Sequence, residues 1–128
     1  MKSFSFDIKG QIRGGKNSIL INRSGHRYPN PKWAKWRDTV IRGIQDTLKS
    51  PVNGLLIDKP CRMRVIYTPN DLKRRDMPAM LDSILHILEK VRLIKDDCLI
   101  TDLEWISRPK DKETSGASIF VEEIEIEV

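Results

Sequence analysis

The chain has 128 residues, of which 39% are apolar and 32% charged, and 23 Lys and Arg against 18 Asp and Glu give a formal charge of +5. That length suits one domain that buries a core without disulfides or a structural metal, and no apolar run approaches the roughly 18 residues that a membrane span needs. Only two cysteines, Cys61 and Cys98, with no CxxC spacing, exclude a zinc-finger framework and predict reduced, buried thiols in a cytoplasmic setting.

Charge is unevenly spread. Residues 1 to 37 hold nine cations against Asp7 alone, a net +8, whereas the charges of the last eleven residues are Glu122, Glu123, Glu125 and Glu127. A basic entry region favours a polyanionic partner through counterion release and steering, although a solvated basic face on an ordinary domain has the same composition.

Phe4, Phe6 and Ile8 alternate with Ser3, Ser5 and Asp7, the pattern of a half-buried strand and not of a signal peptide. Lys9 to Asn30 is glycine-rich and irregular, with a short strand or hairpin arm over Ser18 to Ile21. Its polar side chains, among them Lys16, Arg23 and Arg27, are of the kind that grip a sugar-phosphate backbone; a mobile surface loop is the plainer reading. Asn30-Pro31 is a helix start, and Trp33, Trp36, Val40, Ile41, Ile44 and Leu48 continue at helical spacing until Ser50 and Pro51. The tryptophans either pack inward or stack on bases.

Val52 to Pro60 is a connection, and Cys61 to Thr68 alternates as a second strand. Lys73, Arg74 and Arg75 then lead to Asp76, where a second helix begins with Pro78 just inside. Met77, Met80, Leu81, Ile84, Leu85, Leu88 and Val91 form its apolar face, and Asp96 and Asp97 follow its end. Cys98 to Ser107 and Ala117 to Val128 read as two further strands, most simply a hairpin across the charged Lys110 to Gly116 turn. The order β-α-β-α-β-β predicts an α/β (α+β) fold, a mixed sheet with two packed helices, in one domain over residues 1–128.

Two carboxylate steps flanking the second helix, introduced by a basic loop, suit metal-assisted phosphodiester cleavage, because hard Mg²⁺ or Mn²⁺ ions prefer carboxylate and water oxygens. The turn and strand after the helix would have to bring those steps together. An Asp at a helix start is otherwise a cap, and an Asp-Asp pair in a loop a turn.

The run of basic loop, Arg-Arg-Asp, a helix of about fourteen residues, a short turn, apolar-Lys-Asp-Asp and a strand resembles the RusA family of Holliday-junction resolvases. The resemblance extends over roughly residues 3 to 108, including Trp36-Arg37 in the first helix, and is most specific in 73 to 97. It implies a mixed α/β homodimer, phage- or prophage-associated, that nicks branched DNA, a four-way junction above all, with Mg²⁺ or Mn²⁺. The family motif reads Asp-x-Asp-Asn with a lysine four positions past the second Asp. Here Asp76 matches the first acid, Pro78 and Ala79 stand at the second Asp and the Asn, Asp82 stands at the lysine, and Asp96 and Asp97 match a later acidic pair.

The resemblance implies acidic roles for Asp76, Asp96 and Asp97, and helical spacing adds Asp82, four positions past Pro78 on the same face, so that Asp76, Asp82 and Asp97 would be the catalytic metal ligands, with Asp96 a fourth ligand or an orienting group. Asp82 would reach back one turn to replace the missing acid, aided by His86 four residues on. Lys73, Arg74 and Arg75 would clamp phosphates, helped by Lys16, Arg23 and Arg27. Two other readings stay open: a catalytically inactive protein that keeps branched-DNA binding, and a small interaction protein without nucleic-acid function.

Overall fold

Phe4, Phe6 and Ile8 point inward from the first strand, β1 (Ser3–Lys9), while the residues between them face solvent. In the computed structural model, which describes residues 2–15, 19–48 and 56–125, the same alternation recurs in β4 (Cys61–Thr68), where Cys61, Met63, Val65 and Tyr67 are buried. It recurs in β6 (Gly116–Glu123) through Ala117, Ile119 and Val121. With β5 (Ile100–Ser107) these strands form one sheet in the order β1-β6-β4-β5, parallel between β4 and β5 and antiparallel elsewhere. A separate two-stranded ribbon pairs β2 (Ile19–Ile21) with β3 (Arg27–Pro29). The fold is therefore the expected mixed α+β arrangement, with this small ribbon added.

One expectation fails. The last two large strands do not form a hairpin: β5 lies on one side of β4, and β6 lies on the other, between β4 and β1. The linker instead crosses the end of β4, where Arg108 N–H donates to Tyr67 O at 2.7 Å and Asp111 N–H to Pro69 O at 2.9 Å. The alternation of the final segment specified a strand but not its neighbours. The strand ends at Glu123, and Ile126 and Val128 lie outside the described residues.

Helix α1 (Pro31–Leu48) starts where Asn30 Oδ1 accepts from Lys32 N–H at 3.0 Å. Trp33, Val40 and Ile44 are buried, and Trp36, Ile41 and Leu48 pack against the core. Trp33 is a packing residue with its polar atom satisfied: its Nε1 donates to Ser83 Oγ at 3.0 Å, and its ring lies 5.4 Å from that of His86. Buried and covered by the Arg37 guanidinium, 5.3 Å from the ring centre, Trp33 offers no face for stacking on bases. Gly43 sits on the exposed side of α1 with nothing within 4 Å of an added Cβ. Gly43→Ala is expected to raise the unfolding free energy by about 0.5–1 kcal/mol in urea titration, because alanine loses less backbone entropy in a helix.

Helix α2 (Met77–Lys90) buries Met80, Ser83, Ile84, Ile87 and Leu88, whereas Met77, expected on the core face, is 40% exposed. Arg92, at φ 61, turns the chain after the helix and lets Leu93 N–H reach Leu88 O at 2.9 Å. Leu93 and Ile94 are then buried, and Ile57 bridges to them through Ile57 N–H to Leu93 O, 2.8 Å, and Lys95 N–H to Ile57 O, 2.9 Å. Because β4, α2 and β5 form a parallel crossover, Asp76 lies beyond the end of β4 while Asp97 lies just before β5, whose Ile100 pairs with Cys61 at the beginning of β4.

Candidate metal centre

At the far end of α2 three carboxylates converge. Glu89, Asp96 and Asp97, all exposed, each offer an oxygen within 4.8 Å of the others. Glu89 comes from the last turn of α2, and its Oε1 accepts from Asp97 N–H at 2.9 Å. Asp96 caps the 3₁₀ turn Asp97–Leu99, its Oδ1 accepting from Cys98 N–H at 2.9 Å. That bond, helped by the Cys98 thiol and by a hydrogen bond with the Asp97 side chain, holds the Asp96 carboxyl below the usual carboxylate range. The same carboxylate, followed by slight desolvation and the charges of Asp96 and Asp97, pushes the Cys98 thiol up. Cys98 is thus an exposed thiol, contrary to expectation, while Cys61 is buried as expected; both are free.

Crowded carboxylates repel one another, and a cation among them removes that repulsion. The donor set is all carboxylate oxygen, with no imidazole or thiolate among its three members, which fits a hard divalent ion.

Asp76 and Asp82 do not belong to this cluster. Asp76 stands at the N-cap of α2, its side chain making no capping hydrogen bond, and Glu89 lies thirteen positions further along the helix, about 20 Å away at 1.5 Å per residue. Asp82 lies exposed between them. The expectation that the acids on both sides of α2 converge within one chain is therefore corrected: the parallel crossover sends them to opposite ends. Asp96 and Asp97 do meet, and their third partner is Glu89. Its sequence signal was an acid in the last turn of a helix, where the macrodipole disfavours negative charge.

The cations gather at the Asp76 end. Asp71 Oδ1 accepts from Arg75 Nη1 at 2.8 Å and from Lys73 N–H at 2.9 Å, and the Arg75 guanidinium holds the Asp71 carboxyl below its ordinary range. Arg75 is thus committed to shaping the loop, while Lys73 and Arg74 stand exposed. Lys73, Arg75, Arg108 and Lys110 line a cleft of about 380 Å³ there, together with Met77 and the 83%-exposed Leu72. Gly14 passes over the same end of α2, so close that an added Cβ would lie 2.8 Å from Ala79 Cβ. Arg23 and Arg27 are exposed on the β2–β3 ribbon that follows, and Lys16 falls outside the described residues.

A larger hollow of about 650 Å³ lies on the open face of the sheet. Its two arginines are paired with three carboxylates, Arg62 with Asp102 at 3.4 Å and Glu122 at 3.5 Å, and Arg64 with Glu104 at 3.4 Å, so it offers no attraction for a polyanion.

No family model and no curated protein matches the chain. No helix among the described residues is long and apolar enough to cross a membrane.

Proposed function

We propose that this chain is a metal-dependent endonuclease acting on branched DNA, with each active site built from two copies of the chain. The observation that carries the reading is the triad Glu89, Asp96 and Asp97 within 4.8 Å, in a chain whose residues 8–37 hold eight cations and no acid. A bound Mg²⁺ or Mn²⁺ would supply charge neutralisation at a phosphodiester and a more acidic water. The chain's own part is positional. Asp97 N–H fixes the Glu89 carboxylate and Cys98 N–H fixes that of Asp96, so the oxygens are aimed before an ion or a phosphate arrives.

Within one copy the exposed cations Lys73 and Arg74 lie at the wrong end of α2 to hold a phosphate beside that triad. A two-fold axis across the middle of α2 removes the difficulty, since it sets the Asp76 end of each copy beside the acidic end of the other. The outward face of α2, with Pro78, Asp82 and Glu89 exposed and Leu85 half-buried, is the surface that would meet. Two composite sites about 20 Å apart then result, suited to two strands of a four-way junction. Asp82, in this reading, lies near the axis and outside the metal set.

The test is cleavage of a synthetic four-way junction with Mg²⁺ or Mn²⁺. Wild type is expected to nick it, and Glu89→Gln to lose at least about tenfold, the least that disturbed ligation costs. Salt-sensitive binding with no product in either metal would leave the second reading, a branched-DNA-binding protein, which the separation of Asp76 from the triad favours. Loss of salt-sensitive binding itself would end both.

A further inference from the structure

We propose that the β2–β3 hairpin is an apolar wedge that enters branched DNA at an unstacked base step, with Arg23 and Arg27 on the flanking phosphates. This rests on the DNA reading above and names the feature of the substrate that is recognised.

Ile19 is 50% exposed, Leu20 38%, Ile21 63% and Tyr28 36%. Successive strand residues face opposite sides, so both faces of the ribbon present large apolar side chains. Among the described residues the strands pair only with each other, Ile19 opposite Pro29, Leu20 opposite Tyr28 and Ile21 opposite Arg27, and none of these residues joins the core built from them. Three consecutive exposed aliphatics on a ribbon that is marginal by itself in water call for a partner.

Charge selects the partner. No acid occurs between Asp7 and Asp38, and the hairpin carries Arg23, His26 and Arg27. A second copy of this basic arm would be repelled, whereas a polyanion would be attracted. Aliphatic side chains flanked by arginine are the means by which proteins pry base steps apart, and a two-stranded ribbon fits a DNA groove.

A wedge must also be stiff. Asn22 Oδ1 accepts from Ser24 N–H at 3.1 Å, Ser24 Oγ at 2.9 Å and His26 N–H at 2.9 Å, and Gly25 supplies the φ of +80° that closes the turn. The tip is therefore formed before DNA arrives. Unstacking is least costly where strands cross and base pairing is already disturbed, so the wedge favours a branch point over continuous duplex.

The experiment uses the full chain without divalent metal, so that cleavage plays no part, and 2-aminopurine at the branch point of a synthetic four-way junction. Binding of wild type is expected to raise the fluorescence severalfold at the junction and not in a linear duplex carrying the same base. Ile19→Ser combined with Ile21→Ser is expected to keep salt-sensitive binding but abolish the rise. Arg23→Ala with Arg27→Ala is expected to make the dependence of log K on log salt shallower by about 2. Binding without a rise, or a rise that the serine variant retains, overturns the wedge while leaving DNA binding intact. Conversion of a dimer to a monomer by the serine substitutions assigns the hairpin to a protein interface and also overturns it. Absence of DNA binding by wild type removes the wedge and the endonuclease reading together.

Discussion

Asp76→Asn and Asp97→Asn, each expected to lower junction nicking by at least about a hundredfold, are expected to rescue one another when mixed. Asp76 caps one end of α2 and Asp97 belongs to the carboxylate triad at the other, so a site that needs both must draw them from two copies. In a two-fold dimer containing one copy of each variant, one site carries both substitutions and the other carries neither. Equal mixing makes half of the dimers mixed, and nicking should return to about a quarter of the wild-type level, with one strand cut per junction. Both variants would be re-equilibrated together through mild denaturant and the nicked strand read on a denaturing gel. A mixture as inactive as its components would rule out sites shared between copies.

The second large effect concerns stability. Gly116 has φ +137, and an added Cβ would lie 1.9 Å from Ile8 O and 3.3 Å from Gly10 N. It opens β6 between two partners, opposite Lys9 on β1 and Thr68 on β4, so β6 cannot shift away from Ile8 without disturbing its pairing with β4, and β1 cannot retreat without losing its pairing with β6. Gly116→Ala is expected to cost roughly 3–5 kcal/mol, the range of severe backbone strain added to a steric clash, read as a lower urea midpoint. Gly10→Ala makes the comparison: its φ of +84 is strained too, but nothing lies within 4 Å of the new Cβ, and about 1–2 kcal/mol is expected. Equal losses at the two positions would mean that the Ile8 contact contributes nothing.

Local signals in the sequence were accurate where one element decides its own structure. The alternation of Phe4, Phe6 and Ile8, the Asn30-Pro31 cap and the register of Cys61 to Tyr67 all describe elements that bury one face. What periodicity does not carry is adjacency. The short charged segment after Ser107 suggested a hairpin, yet the chain steps over β4, because β4-α2-β5 already forms a parallel unit and the remaining place lies between β4 and β1. The same blindness applies to the carboxylates. Asp76 and Asp97 are 21 positions apart in sequence, a spacing compatible with convergence or with a helix's length between them, and only the direction of β5 decides. Glu89 went unrecognised because an exposed acid on a helix normally does no more than face water.

The position of β6 has a consequence for biosynthesis. Of the described strands β1 is made before the others, but its hydrogen-bonding partner in the sheet is β6, with Ser3 opposite Glu122. Until residues 116–123 have been translated, β1 lacks this partner and one long side of β4 is open, so the nascent chain exposes two unsatisfied strand edges over that interval. Closure of the sheet is therefore a late, long-range event, and the slowest step in attaining the native state should be the insertion of that final strand.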